Sequence, residues 1–155
     1  MPKTPAITTR KPRICIDADV LFAGAASPEE HSASLVILRL AEITLIEAIV
    51  SQQVIEECER NLSAKLPGAL PAFRMLISRC ARIVPAPSKE EIASYSGLAN
   101  PRDLPVLVAA LRNECAYLVT FNLRHYQPGH LKVVVFRPGE LVLRVRELLT
   151  RLPDR

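Results

Sequence analysis

The chain predicts an α/β fold, a three-layer α/β/α arrangement around a central parallel sheet. Short apolar runs alternate with segments of helical periodicity along most of its 155 residues. Turn residues, prolines prominent among them, punctuate the change from one pattern to the other. The first apolar run stops abruptly at Asp17, as a buried strand does when it delivers a charge to its C-terminal end, the edge at which open parallel sheets bind ligands.

The elements follow in order. Arg13 to Asp17 predicts strand one, and the Ala-Gly-Ala-Ala-Ser-Pro sequence at 23–28 predicts a turn. Ser32 to Glu42 carries Leu35, Leu38 and Glu42 at helical spacing, and Thr44 to Val50 returns to strand. Ser51 is placed as an N-cap, followed by Val54, Ile55, Cys58, Leu62 and Leu66 on one helical stripe that ends before Pro67-Gly68. Leu70 to Cys80 predicts a further helix with Phe73, Leu76 and Ile77 facing inward, and Arg82 to Val84 a short strand before Pro85 and Pro87. Ser88 caps another helix. Two prolines in Asn100-Pro101-Arg102-Asp103-Leu104-Pro105 set Asp103 at the start of a helix running to about Glu114, apolar all round from Leu104 to Leu111 and therefore buried on most sides. Strands at Tyr117 to Phe121 and Lys132 to Phe136 and a helix from Glu140 to Arg151 complete the pattern.

Composition narrows the function classes. With 49% hydrophobic and 23% charged residues the chain reads as a soluble globular domain. A net charge of +4 suits a polyanionic partner and a solvated basic surface equally. Tryptophan is absent and aromatics are 5%, which argues against a broad base-stacking platform. Cys15, Cys58, Cys80 and Cys115 lie in apolar segments without C-x-x-C spacing, and His31, His125 and His130 form no ligand pair, so a zinc site has little support. No signal h-region or spanning helix is expected, which points to the cytoplasm and away from a membrane.

Asp17 and Asp19 are the first candidates for chemistry. Burying an ionised carboxylate unpaired costs several kcal/mol, so Asp17 requires hydrogen bonds, a cation or both. In the expected layout Asp17 and Asn122 follow strands while Asp103 opens a helix, and all three converge on one sheet edge. A fourth acid should come from the Ser51 helix, where Glu56, Glu57 and Glu59 remain open on periodicity alone. Each residue taken singly has an ordinary reading: Asp103 a cap, Asn122 a turn residue, Glu57 a solvated helix position.

Four segments in this order resemble a PIN domain, the fold of many VapC-like toxin ribonucleases. They are Ile14-Cys15-Ile16-Asp17-Ala18-Asp19-Val20-Leu21, Val50-Ser51-Gln52-Gln53-Val54-Ile55-Glu56-Glu57, Asp103-Leu104-Pro105-Val106-Leu107-Val108-Ala109-Ala110 and Leu118-Val119-Thr120-Phe121-Asn122-Leu123-Arg124-His125-Tyr126. The resemblance implies a nuclease domain over 13–142, with a flexible tail at 1–12 and a helix end and tail at 143–155. It also implies site residues Asp17, Glu57, Asp103 and Asn122, the first three as ligands of a divalent cation (Mg2+ or Mn2+), with Asp19, Thr120 and Arg124 as secondary candidates. Two departures stand out: many members carry Asn where this chain has Asp19, and Asp where it has Asn122. Arg124 and His125 are read as solvent-facing.

The expected activity is metal-dependent hydrolysis of RNA phosphodiester bonds by an activated water, since the pocket is oxygen-rich with no evident Ser or Cys nucleophile. The resemblance further implies a cognate antitoxin, and the mean hydropathy of +0.17 suggests self-association as a homodimer. Asn122 motivates an alternative, a degenerate domain that binds RNA or a protein without cutting. The Asp17-x-Asp19 pair is also similar to that of haloacid-dehalogenase-type phosphatases, but Leu21 stands where Thr or Val is expected there and no later paired acidic motif follows. A phosphoacceptor receiver domain would need an Asp where Ser51 stands.

Overall fold

The computed structural model describes residues 11–26 and 32–151. The N-terminal tail expected at 1–12 therefore lies almost wholly outside the described residues, as do 27–28 of the expected turn. Five strands, β1 (Arg13–Ile16), β2 (Glu47–Ser51), β3 (Ala81–Val84), β4 (Tyr117–Val119) and β5 (Val134–Phe136), form one sheet in the order β3-β2-β1-β4-β5. Every pairing is parallel. The helices that return the chain between them are α1 (Ala18–Ala26), α2 (Ala33–Glu42), α3 (Gln52–Lys65), α4 (Leu70–Cys80), α5 (Lys89–Ser94) and α6 (Leu104–Arg112), and α7 (Pro138–Thr150) follows β5.

Winding outward from β1 to β2 and β3, then back across to β4, creates a switch point between β1 and β4. Ligand crevices in open parallel sheets form outside the strand ends at such a point. Asp17 follows β1 and Thr120 follows β4, and the Asp17 N–H continues the ladder by donating to the Val119 carbonyl at 3.1 Å. The strands are short: β1, β2, β4 and β5 end at or just before a polar residue, and β3 ends before Pro85, which has no N–H for the ladder. Ile14, Ile16, Leu118 and Val119 are fully buried, as sheet residues covered on both faces must be.

Helix α6 is the central helix its all-apolar sequence predicts. Leu104 and Val106 through Ala110 are buried, and Cys15 on β1 lies 3.8 Å by its Sγ from the Val106 carbonyl. Each such fully buried Leu or Ile contributes roughly 1.5–3 kcal/mol. Helix α3 buries Val54, Ile55, Cys58 and Leu62 at the predicted spacing, but Leu66 is the exposed C-cap rather than the end of the stripe. Helix α4 keeps its predicted bounds and buries Phe73 and Ile77, with Leu76 partly buried.

Three other expectations are corrected. Residues 23–26 are the last turn of α1, not a turn between elements. Gly24 there serves close packing: a Cβ at this position would meet Leu38 Cδ1 of α2 at 2.8 Å. Thr44 adopts φ 66°, so β2 begins only at Glu47. Helix α6 stops at Arg112, two residues early, because Glu114 takes φ 54° in the turn toward β4. The four cysteines are free and buried, as expected of core residues.

Candidate active site

Asp17 sits at the end of β1, 8% exposed, and its carboxylate accepts three hydrogen bonds, leaving Oδ1 with one open acceptor direction. Oδ1 accepts from the Ala18 N–H at 2.8 Å, while Oδ2 accepts from Thr120 Oγ1 at 2.9 Å and from the Tyr126 hydroxyl at 2.7 Å. These donors offset the desolvation of a charge that has no ion-pair partner among the described residues. Thr120 is fully buried, and its single proton goes to Asp17 at 2.9 Å in preference to Asp19 at 3.4 Å. Its oxygen in turn accepts from the Asn122 N–H at 3.1 Å.

Asp19 lies one step outward in the first turn of α1, beside the helix N-terminus. Its Oδ1 accepts from the Val20 N–H at 2.7 Å, and Oδ2 accepts from the Phe121 N–H at 3.1 Å and the Asn122 side-chain amide at 3.2 Å. Burial first, and the neighbouring Asp17 charge second, push its pKa up to about 6 against those hydrogen bonds. Thus the two positions that depart from the expected pattern face each other, a carboxylate on one and an amide on the other.

Asp103 is held at the N-cap position of α6 by a tight turn, its own N–H donating to the Asn100 carbonyl at 2.8 Å. His125 Nδ1 lies 3.0 Å from its Oδ2. Burial and the Asp17 charge raise the Asp103 pKa, and His125 and Arg102 oppose that rise. Glu57 comes from the second turn of α3. Of the three acids periodicity left open, Glu56 is exposed and pairs with Gln52, Glu59 pairs with Arg74, and Glu57 alone reaches the cleft. Ser51 fixes that helix start by accepting from the Val54 N–H at 3.3 Å.

Asp17, Asp19, Glu57, Asp103 and Asn122 line one cleft of about 400 Å3, with Gln53, Asn100, Arg60, Arg102 and His125 around them. His125 is therefore at the cleft rather than merely in solvent. Arg124 points elsewhere, into an adjoining hollow that includes Arg137. Among the described residues no three of the His, Cys, Asp and Glu side chains are gathered tightly enough to grip an ion as they stand. The donor set nevertheless fits a hard divalent cation: carboxylate and amide oxygens in a shared, solvent-open cleft, without a thiolate.

Tyr126 was not foreseen. Its hydroxyl is buried against Asp17, and burial followed by the Asp17 charge raises its pKa well above the ordinary value, so it stays a proton donor. Gly129 keeps the following turn open with φ 77°, since a Cβ there would meet the Tyr126 carbonyl at 2.9 Å. An aromatic seven residues beyond a strand end carries no sequence signal for this role; only the turn of 123–126 brings it back beneath Asp17.

A parallel α/β domain with an acidic cleft at its switch point defines a class of hydrolytic and phosphoryl-handling proteins. Residues 13–124 match the PIN domain family, and the chain belongs to it. PIN domains are a nuclease family whose members generally use divalent metal ions. Two solved structures share the fold. One is VapBC2 from Rickettsia felis bound to a DNA fragment from their promoter, at 13% identity and a TM-score of 0.60, covering 81% of this chain and 98% of that one. The other is PAE2754 from Pyrobaculum aerophilum, at 16% identity and a TM-score of 0.62, covering 88% and 97%. Comparison with curated proteins gives no significant sequence match. No described helix is long and apolar enough to cross a membrane.

Proposed function

We propose that the chain is a metal-dependent endoribonuclease, the toxin of a toxin–antitoxin pair. The observation that carries this reading is the gathering of Asp17, Glu57 and Asp103, with Asn122, in one cleft of a PIN domain. Asp17, Glu57 and Asp103 would hold Mg2+ or Mn2+, which supplies polarisation of a phosphoryl oxygen and a more acidic water. Thr120 and Tyr126 fix the direction of the Asp17 carboxylate, so its ligating oxygens need little reorganisation. Arg60 and Arg102 at the cleft attract a phosphodiester that four carboxylates would otherwise repel. His125, beside Asp103 at 3.0 Å, is positioned to pass a proton to a departing oxygen.

The antitoxin and a homodimer belong to the same proposal. A largely apolar groove of about 230 Å3 between α1, α2 and α4, lined by Ala25, Leu35, Phe73, Met75 and Leu76, offers a surface for a partner chain. A solved structure of the same fold carries a two-protein name, which supports a protein partner for this fold.

Cleavage of single-stranded RNA by the purified chain, with magnesium, manganese or EDTA, tests the activity. Metal-dependent cutting should disappear in Asp17→Asn, Glu57→Gln and Asp103→Asn. Equal cutting in EDTA, or by all three variants, would overturn the reading. The non-cleaving alternative predicts RNA binding without product at any metal concentration, and Asn122→Asp gaining activity where the parent has none.

A further inference from the structure

The acidic cleft does not end at Asn122 and His125. Both also line a neighbouring hollow of about 270 Å3, whose other walls are Phe121, Leu123, Arg124 and Arg137. Phe121 and Arg137 in turn line a third hollow of about 370 Å3, walled mostly by small residues such as Ala23, Ala33 and Gly139, together with Pro138 and the Arg137 partner Glu140. Shared residues make the three hollows one surface track from the carboxylates to the start of α7.

Charge changes sign along that track. Arg124 is exposed and has no ion-pair partner among the described residues. Among the described residues the Arg137 guanidinium pairs only with Glu140, at 3.8 Å and largely in solvent, a pair of little energetic weight. Between them Phe121 presents its ring, 45% exposed, while its backbone is pinned by the N–H donated to Asp19 Oδ2 at 3.1 Å. A single exposed Phe is ordinary. One anchored to the acidic cleft, with two weakly compensated guanidinium groups and a small-residue hollow beside it, matches the alternation of base and phosphate in a single strand.

We propose that this track binds single-stranded RNA on one side of the cleavage point, an unpaired base stacking on Phe121 and the adjoining phosphate lying between Arg124 and Arg137. The proposal rests on the nuclease reading for its substrate, but its test does not need cleavage. A duplex is excluded because its bases are already stacked and cannot cover the ring.

Fluorescence anisotropy with a labelled single-stranded RNA oligomer, in EDTA so that nothing is cut, compares the full chain with its variants. Phe121→Ala, and Phe121→Leu as the bulk-preserving form, should each weaken binding by about 5-fold or more. Combined Arg124→Ala and Arg137→Ala should lower the slope of log affinity against log salt by about 0.7–1.4. Arg74→Ala, on the far α3–α4 face, should match the parent. Parent-like affinity and salt slope in the track variants, or a duplex bound as tightly as the strand, would overturn the proposal. If the parent cuts no RNA in magnesium or manganese while the Phe121 variants still lose binding, the nuclease reading fails and the track stands. If the parent cuts and the track variants bind and cut with unchanged KM, the track fails and the nuclease reading stands.

Discussion

At the scale of single residues, the site depends on how the Asp17 carboxylate is hydrogen-bonded inside the protein. Its three donors come from α1, from the end of β4 and from the turn beyond it, so one carboxylate ties together segments far apart in sequence. Hydrogen bonds to a charged group are worth roughly 1.5–3 kcal/mol each. Tyr126→Phe should therefore lower unfolding free energy by about that much, measured by urea titration, and weaken metal affinity measured by calorimetry because Asp17 loses its orientation. A merely space-filling tyrosine would leave both unchanged. The same geometry separates Asp17 from Asp103. Asp17→Asn turns an amide N–H toward donors and should destabilise, whereas Asp103→Asn relieves repulsion from Asp17 at a half-buried position and should hold or raise the metal-free Tm. An Asp17→Asn Tm equal to or above that of the parent, or an Asp103→Asn loss as large as that of Asp17→Asn, would show that the hydrogen-bond network does not govern the site.

At the scale of elements, the capping serine of α3 illustrates what sequence could and could not tell. Ser51 was legible as a cap, because a hydroxyl just before an apolar stripe has one common use. Its energetic role in the site was not, since Glu57 reaches the cleft only if that helix starts where Ser51 sets it. Ser51→Ala leaves the Val54 N–H unpaired at a buried position and should cost on the order of 0.5–2 kcal/mol, with a weakened metal affinity alongside the lower Tm. Unchanged affinity would mean that Glu57 finds the cleft without its cap. The alternation of periods made the layers and the parallel strands readable, with β4 and β5 each two residues shorter than expected, and the strand that ends at Asp17 opens onto the acidic cleft. The choice among Glu56, Glu57 and Glu59 was not readable from periodicity, because adjacent residues on a helix flank differ by only 100° in direction. The 23–28 segment misled for a different reason. Gly24 looks like a turn residue in sequence, yet it is there so that α1 and α2 can approach. Tyr126 and Arg137 were invisible because their partners lie across chain connections that only the folded topology closes.

At the scale of the whole molecule, the clustered carboxylates link stability to pH, and on the proposed function they would link it to metal with the opposite sign. Asp19 has its pKa raised to about 6 by burial and then by Asp17, above its ordinary value of 3.8, and Asp103 is raised as well. Between those values the native state holds protons that the unfolded chain has already released, so these groups favour folding in acid and that advantage is lost as pH rises toward 6. Glu47 works the other way: burial lifts it, but hydrogen bonds from Arg82 and Arg13 pull it below its ordinary value, so its contribution fades as pH falls. Glu47 sits at the opposite, N-terminal edge of the sheet, partly exposed and paired with the exposed Arg82, so solvent screening should leave the cleft groups dominant. Without metal, the Tm should therefore be higher near about pH 5 than near about pH 7.5. A cation competes with those protons, and at about 100 times its Kd it adds roughly 2.7 kcal/mol, or about 5–11 °C for a chain of this size. That increment should be large near about pH 7.5 and small near about pH 5, where the ligands are partly protonated. Asp19→Asn removes the largest titrating contribution and should flatten the metal-free profile. Melting curves at the two pH values, with EDTA and with manganese, decide it: an equal metal-induced rise at both, or a metal-free Tm that climbs from acid to neutral, would mean that the cleft carboxylates neither repel one another nor share an ion.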